Sequence, residues 1–340
     1  MRAPTSTAQA ADMPQATSTS SPLLAVRDVY KTYAHKKRQS LKAVDGVSFH
    51  VMPGEVLGLV GESGCGKSTL GRCLLRLSDV SSGQILFEGQ DMTHLPERTL
   101  RPLRQRMQMV FQDSYASLNP RRRIGDLLAE PLRVHRAPDG GKHSSSSIAR
   151  RLAELMELVS LPKNALERYP HEFSGGQRQR INIARALALA PRLVVADEPV
   201  SALDVSVQAQ IVNLFADLQK QLGLTYIFIA HDLAVVRQIS TRVAVMYLGA
   251  IVELGDTDTV LHHAAHPYTL ALTRAVPRPV VGAPHHAPLR GEIPSPVQKP
   301  SGCRFHTRCP AMQPRCQSDA PLLQQISPGH EVACHYPVLA

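Results

Sequence analysis

The chain has 340 residues, of which 43% are hydrophobic and 19% are charged. A chain of this length and composition can bury one large core and carry a small second domain, which excludes a disordered protein. Its formal net charge of +10 invites a nucleic-acid or anionic-membrane partner, but the basic residues are scattered, only 4% of residues are aromatic, and there is no Trp. Platforms for base stacking are therefore scarce, and we expect no nucleic-acid partner.

The apolar stretches of the sequence are too interrupted to cross a bilayer. The most apolar, residues 181–196, is broken by Arg185, Pro191 and Arg192, whereas a spanning helix needs about 20 consecutive, mainly apolar residues. Residues 1–22 are rich in Ala, Ser and Thr. They lack the apolar run of a secretory signal, and we interpret them as a disordered leader.

The elements that follow are typical of an α/β domain. Short apolar runs in residues 23–60 are separated by polar segments and a Pro-Gly turn, as expected of strands. Helix-like and strand-like segments then alternate, which predicts a mainly parallel sheet. Residues 125–170 contain no good strand. We therefore predict one domain over residues 23–268 with a helical subdomain inserted at about residues 113–190.

The C-terminal part has a different composition. The helix-like TLALTRAV is followed by residues 277–300, which are too rich in proline for a helix or a central strand. We therefore predict a linker over residues 269–300. Residues 301–340 are predicted to form a small metal-binding tail, because a reducing compartment favours a metal site over disulfides. The four cysteines of this tail have the spacing C-x5-C-x6-C-x17-C, which matches neither zinc knuckles nor ferredoxins. By itself this spacing says only that a four-thiolate site is possible. The tail cysteines are Cys303, Cys309, Cys316 and Cys334.

A phosphate-binding motif stands between a strand-like and a helix-like segment. Residues 61–68, GESGCGKS, fit G-x-x-x-x-G-K-[ST], directly after VLGLV and at the start of KSTLGRCLLRL. The glycines let successive backbone N–H groups point at phosphate oxygens, and the helix N-terminus adds positive potential. Lys67 would reach the terminal phosphates, and Ser68 would hold Mg²⁺ through its hydroxyl group.

Two acids end the later apolar strand LVVADE at residues 193–198. The carboxyl edge of a strand is where α/β sheets bind ligands. Asp197 can therefore bind the Mg²⁺ shell, and Glu198 can polarise a water for in-line attack on a γ-phosphate. Acids commonly end strands, so this pattern is weak alone, but it is strong together with the phosphate loop.

A second helix N-terminus carries a glycine pair and a hydroxyl group. Residues 173–177, FSGGQ, precede the helix-like run RQRINIARALALA. Such an N-terminus can bind phosphate. By itself, Ser-Gly-Gly is equally well explained as an N-cap and a turn.

Taken together, these motifs resemble the ATP-binding cassette (ABC) family over about residues 24–255. The resemblance implies a P-loop NTPase cassette with a mainly parallel core, an antiparallel β subdomain and a helical subdomain. Tyr33 resembles the aromatic residue that stacks on adenine, and Gln112 resembles the Q-loop glutamine that touches Mg²⁺ and the transport domain. The ATP-binding residues so implied are Tyr33, Gly61, Ser63, Gly64, Cys65, Gly66, Lys67, Ser68 and Thr69.

The resemblance also implies how the reaction proceeds. Two cassettes pair head to tail, and each ATP lies between the phosphate loop of one and the signature of the other. Hydrolysis at Glu198, with His231 and Gln112 sensing the γ-phosphate, lets the pair separate. Magnesium would be held through Ser68, Gln112 and Asp197. The remaining family positions are the signature at Ser174, Gly175, Gly176 and Gln177 and the D-loop at Ser201 and Asp204.

The tail resembles that of oligopeptide/dipeptide importer ATPases, because GEIPSPVQKPSGCRFHTRCP follows HPYTLALTRAVP and, earlier, RYPHEFSGGQRQR. This implies two permease partners, a second ATPase that is a paralogue, a substrate-binding protein, and a peripheral location on the cytoplasmic face of the inner membrane. It also implies a [4Fe–4S] cluster on the four tail cysteines, with Zn²⁺ as the alternative. Importers of nickel or glutathione stay open as alternatives, as does a soluble ABC ATPase that acts on nucleic acid.

Overall fold

A computed structural model describes residues 21–34, 40–137, 140–275 and 291–338. The predicted leader lies outside these ranges except for residues 21–22. The middle of the predicted linker, residues 276–290, also lies outside them.

The described strands form two sheets. A four-stranded antiparallel sheet has the order β2-β1-β4-β5, and an eight-stranded mixed sheet has the order β11-β12-β10-β9-β3-β8-β7-β6. In the larger sheet, the five strands from β9 to β6 are parallel to one another, and β10 pairs antiparallel with β9. The strands are β1 (Leu24–Ala34), β2 (Ser40–Val51), β3 (Val56–Val60), β4 (Ser82–Phe87), β5 (Gln90–Asp91), β6 (Met107–Val110), β7 (Leu193–Asp197), β8 (Thr225–Ala230), β9 (Arg242–Tyr247), β10 (Ala250–Asp256), β11 (Gln324–Ser327) and β12 (His330–Val332).

Helices cover the larger sheet and fill the chain between β6 and β7. The central strands β3, β7 and β8 are buried along their whole length, which explains their uninterrupted apolar sequences. The helices α3, α4 and α5 lie within the predicted helical subdomain. The helices are α1 (Lys67–Leu74), α2 (Glu97–Gln105), α3 (Ile124–Val134), α4 (Ser145–Leu158), α5 (Gly175–Leu187), α6 (Val205–Leu222), α7 (Leu233–Ile239), α8 (Thr257–His262), α9 (Pro267–Ala275) and α10 (Arg315–Ser318).

The tail is attached to the large sheet. Strand β12 pairs with β10 antiparallel, with Glu253 opposite Val332. The carboxylate of Glu253 is fully buried; it accepts hydrogen bonds from the backbone of Ala265 and His266 and lies 2.8 Å from Nε2 of His330. A buried carboxylate needs such partners, because an unpaired one is costly. The tail is thus fixed to the domain by a sheet register and a buried polar contact.

This architecture confirms the predicted α/β class, with a mainly parallel core, an antiparallel sheet and a helical region. None of the helices within the described ranges is both long and apolar enough to span a membrane.

Candidate nucleotide-binding site

Parallel strands bring the predicted motifs to one edge of the sheet. Strands β3, β7 and β8 are neighbours and run in the same direction, so their carboxyl ends meet. The phosphate loop follows β3, Asp197 ends β7, and His231 follows β8. Segments far apart in sequence therefore converge on one place.

The phosphate loop needs glycine at two positions for backbone reasons. Gly61 has φ of 152° and Gly66 has φ of 107°, in the region that favours glycine. A Cβ atom at Gly61 would lie 2.1 Å from the carbonyl oxygen of Met246, and one at Gly66 would lie 2.1 Å from that of Ala43. The loop therefore packs backbone against backbone, which excludes any side chain at these positions.

Lys67 is buried at the base of this loop. Its Nζ donates to the carbonyl oxygens of Gly61 at 2.7 Å and Glu62 at 3.1 Å. Cys65 is buried beside it, with Sγ 3.9 Å from Nζ, and burial raises the pKa of the Cys65 thiol. The ammonium is thus held on the loop, where phosphate oxygens would be stronger acceptors than these neutral carbonyls.

Ser68 and Asp197 provide adjacent oxygen donors. The hydroxyl of Ser68 donates to Oδ1 of Asp197 at 2.7 Å, and Asp197 is only 2% exposed. Burial raises the pKa of Asp197, while the bond from Ser68 and the charge of Arg72 oppose this shift. In the described part of the chain, no three His, Cys, Asp or Glu side chains are arranged to hold a metal. Magnesium, however, commonly uses one or two carboxylates plus phosphate oxygens and water, so this pair fits it.

Glu198 lies at a strained position beside this pair. Its φ of 45° is in the left-handed region, which costs energy in a residue other than glycine and clusters at functional sites. Gln112 Nε2 donates to its Oε2 at 2.9 Å, and His231 Nδ1 lies 3.7 Å from the same oxygen. Ser201 Oγ donates to the backbone carbonyl oxygen of Glu198 at 3.1 Å. The carboxylate of Glu198, the side-chain amide of Gln112 and the imidazole of His231 thus form one cluster.

A cavity of about 280 Å³ lies over the loop. Tyr33 lies on its wall and is 40% exposed, with the ammonium of Lys31 4.8 Å from its ring centroid. Several further lining residues carry no motif by which they could be predicted. Predicted residues that line the cavity are Tyr33, Ser63, Gly64, Cys65, Gly66, Lys67, Ser68, Thr69, Gln112 and Glu198; further ones are Leu41, Lys42, Ala43, Leu248, Gly249 and Pro296.

The signature residues lie elsewhere. Ser174 is the N-cap of α5 and forms a capping box with Gln177, each side chain bonding to the other's backbone N–H. Neither residue lines the cavity over the phosphate loop. Asp204 is the exposed N-cap of α6. The exposed N-terminus of α5 therefore lies outside the nucleotide cavity of its own chain.

Comparison with known proteins agrees with this geometry. Residues 44–201 match the family model described as ABC transporter, and residues 252–316 match the one described as oligopeptide/dipeptide transporter, C-terminal region. A putative oligopeptide transport ATP-binding protein of Bacillus subtilis is 50% identical over 92% of this chain and 95% of its own length. The oligopeptide transport ATP-binding protein OppF of Salmonella typhimurium is 51% identical over 87% and 88%.

This chain belongs to the oligopeptide/dipeptide group of ABC transporter ATP-binding proteins. Among solved structures, the ATP-binding cassette MJ0796, a dimer in a post-hydrolysis state bound to ADP and Pi, superposes with a TM-score of 0.62. It is 27% identical and covers 69% of this chain and 98% of its own. The predicted P-loop cassette fold is thereby confirmed.

A larger cavity of this ABC protein, about 690 Å³, lies between the sheet and the helical region. It contains Gln112 and Asp197 on one side and Pro131 and His135 of the α3 region on the other. Exposed apolar side chains of Leu77 and Phe111 lie on its wall. This larger cavity, called the groove below, therefore adjoins the nucleotide cavity at Gln112, which lines both.

The four tail cysteines of this ABC protein surround one small cavity of about 10 Å³. Backbone N–H groups bond to the sulfurs of Cys303, Cys309 and Cys334, and burial raises the pKa of each of these thiols. Burial disfavours the thiolate form that binds metals, and the amide donors offset this only in part. The cavity holds about one water molecule, and no three His, Cys, Asp or Glu residues in the described ranges are arranged around a metal. The structure thus brings the four cysteines together without a preformed metal site in the described ranges, and the iron–sulfur cluster stays a prediction.

Proposed function

We propose that this chain is the ATP-hydrolysing subunit that powers uptake of oligopeptides or dipeptides through a membrane ABC importer. The observation that carries the proposal is the approach of Ser68 to Asp197 at 2.7 Å, with Glu198 next in the chain. Relatives named as oligopeptide transport ATP-binding proteins, about half identical over most of the chain, support the peptide substrate.

The proposed chemistry follows from the residues in the cavity. Backbone N–H groups of the loop and the ammonium of Lys67 bind the phosphates and stabilise the charge that develops on them. Ser68, Asp197 and Gln112 would hold Mg²⁺, which would neutralise phosphate charge. Glu198 orients and polarises the attacking water. His231, whose Nδ1 lies 3.7 Å from Oε2 of Glu198, senses the γ-phosphate.

A second cassette completes the proposed site. The capped N-terminus at Ser174 does not line its own chain's cavity, and its capping box uses only the backbone N–H groups of Ser174 and Gln177. The N–H groups of Gly175 and Gly176 are therefore available to the ATP of a partner. The dimeric state of the cassette MJ0796 supports such pairing. The partner we propose is a paralogous ATPase, with the D-loop residues Ser201 and Asp204 at the interface.

The membrane subunits are proposed to dock in the groove of about 690 Å³. It presents exposed apolar side chains at Leu77 and Phe111, and grooves of this kind are typical of sites that receive a helix from a partner. Gln112 lines both this groove and the nucleotide cavity and can transmit the nucleotide state to the permeases. The chain would then lie on the cytoplasmic face of the inner membrane, in a complex with two permeases and a substrate-binding protein.

A test of this function begins with the full-length chain carrying an affinity tag in its own host. We expect detergent-solubilised membranes to yield it together with two integral membrane proteins and a second ABC ATPase. In liposomes, the purified complex should hydrolyse ATP and take up labelled peptides. Uptake of nickel or glutathione instead would transfer the assignment to those alternatives, and retention on RNA or DNA resins without membrane proteins would contradict an importer.

The tail cysteines stay a proposed thiolate site for a [4Fe–4S] cluster, with Zn²⁺ as the alternative. In that case Cys303, Cys309, Cys316 and Cys334 would staple a tail that buries little core, which is a structural role. Anaerobically purified protein would then be brown and contain iron and sulfide. Colourless protein with stoichiometric zinc would favour the alternative, and protein without either metal would reject the site.

A further inference from the structure

One arginine of the tail reaches the phosphate loop. Arg308 lies 246 residues from Glu62, and its guanidinium donates to both carboxylate oxygens of Glu62, at 2.7 Å to Oε2 and 3.0 Å to Oε1. The side chains are 5% and 21% exposed. A two-point contact of this kind fixes orientation as well as distance, and burial protects it from screening by water.

Glu62 is a member of the loop that holds Lys67. Its backbone N–H donates to the hydroxyl of Tyr268 at 2.9 Å, and its carbonyl oxygen accepts from Lys67 Nζ at 3.1 Å. Its amide, carbonyl and carboxylate groups are therefore all engaged. Because Lys67 bonds to the carbonyl, the orientation of this peptide group helps to set where the ammonium lies.

The tail gives Arg308 a rigid support. Phe305, three residues before it, is fully buried and packs against the rings of Tyr247 and Tyr268 at centroid distances of 5.3 and 5.4 Å. Arg308 itself lies against Tyr247, with Nη1 3.5 Å from the hydroxyl oxygen. The pairing of β12 with β10 anchors the tail independently. The guanidinium is thus held by the core and does not line the nucleotide cavity.

We propose that Arg308 is a positioning residue for ATP binding, which acts through Glu62 to hold the phosphate loop in its binding conformation. This proposal rests on the proposed function, because it assigns Arg308 to the same nucleotide site. It requires no contact between Arg308 and ATP. Loss of the guanidinium should release the Glu62 carboxylate and loosen the peptide that orients Lys67, which weakens ground-state binding and leaves the chemistry at Glu198 intact.

The experiment measures Mg-ATP affinity by calorimetry, and KM and kcat in the assembled complex, for Arg308→Gln and Glu62→Gln. Each change should weaken nucleotide binding and raise KM about tenfold, as for loss of a charged hydrogen bond, with kcat within about twofold of the wild type. The double variant should lose no more than either single one, because both remove the same contact. Arg308→Lys should restore part of the affinity, since it keeps the charge and one hydrogen bond.

Arg315→Gln is the matched control, because Arg315 is an exposed arginine of the same tail that pairs with Asp319 at 3.2 Å. It should bind Mg-ATP like the wild type. Wild-type affinity in Arg308→Gln, while Lys67→Ala loses binding, would overturn the positioning role alone, as would additive losses in the double variant. If Arg308→Gln does not fold, Glu62→Gln decides by the same criterion. A wild-type protein that binds no nucleotide would instead refute the proposed function.

Discussion

The side-chain amide of Gln112 donates a hydrogen bond of 2.9 Å to the carboxylate of Glu198. His231 approaches the same oxygen to 3.7 Å. The group that would polarise the attacking water is therefore engaged by two residues that would sense the γ-phosphate. If Gln112 and His231 contact the γ-phosphate as proposed, we expect ATP and Mg²⁺ to compete with Glu198 for these two side chains. Nucleotide occupancy would then be coupled to the orientation of the Glu198 carboxylate.

Glu198→Gln should abolish steady-state hydrolysis and leave ATP binding intact. The amide keeps the size and one acceptor oxygen of the side chain but cannot act as a base, so we expect kcat to fall at least about 100-fold. The check is phosphate release by the assembled complex beside direct nucleotide binding. Glu130→Gln, an exposed acid on α3, serves as control and should hydrolyse normally. Unreduced turnover in Glu198→Gln would remove Glu198 from its proposed role.

Lys67→Ala should weaken nucleotide binding at least about tenfold, because it removes a charged donor aimed at the terminal phosphates. The protein should still fold, since the ammonium bonds within the loop, to the carbonyl oxygens of Gly61 and Glu62 and the sulfur of Cys65. Calorimetry with Mg-ATP measures the loss. Lys220→Ala, near the end of α6, provides a lysine control outside the cavity. Equal affinity in Lys67→Ala and the wild type would mean that the phosphate loop is misassigned.

Asp197→Asn should stabilise the nucleotide-free protein while it abolishes Mg²⁺-dependent hydrolysis. Burial raises the pKa of Asp197 above 3.8, so the folded state binds the proton more tightly than the unfolded state. As pH rises from about 4 through the folded pKa, the wild type loses stability that the neutral amide keeps. Thermal unfolding without nucleotide should show a higher Tm for the variant at pH 7, with the difference shrinking toward pH 4. A Tm difference independent of pH would contradict this account.

The attachment of the tail can be tested at His330. His330→Ala leaves the fully buried carboxylate of Glu253 with only its backbone donors, which should lower the free energy of unfolding by about 2 kcal/mol. Urea unfolding followed by circular dichroism measures the change. His263→Ala, at an exposed histidine, should be close to neutral. An equally small effect at His330 would show that the contact does not hold the tail.

Much of the nucleotide site could be predicted from the sequence, because each motif is short and is tied to a strand end. The apolar runs before residue 61 and before Asp197 predict buried parallel strands, and their carboxyl ends must meet. The glycine pattern is explained by backbone packing at Gly61 and Gly66. Local residues thus determine where the phosphate loop and the carboxylates lie.

The contacts of the tail could not be predicted in this way. Pro296 belongs to the predicted linker and yet lines the nucleotide cavity, and Arg308 pairs with Glu62 across most of the chain. Neither position has a periodic pattern or a motif that indicates its partner. Strand β12 is only three residues long, too short for a period-of-two signal. Such long-range pairings depend on how the tail folds back onto the domain, which spacing along one sequence does not encode.

The most direct test of the account is the structure of Glu198→Gln protein with ATP and Mg²⁺. We predict the β- and γ-phosphates within hydrogen-bond distance of Lys67 Nζ, and Mg²⁺ between the phosphates, Ser68 and Asp197. The adenine should lie against Tyr33, and Ser174 of a second cassette should face the γ-phosphate. A cavity that stays empty at saturating ATP, or a nucleotide bound away from Lys67 and Asp197, would contradict it.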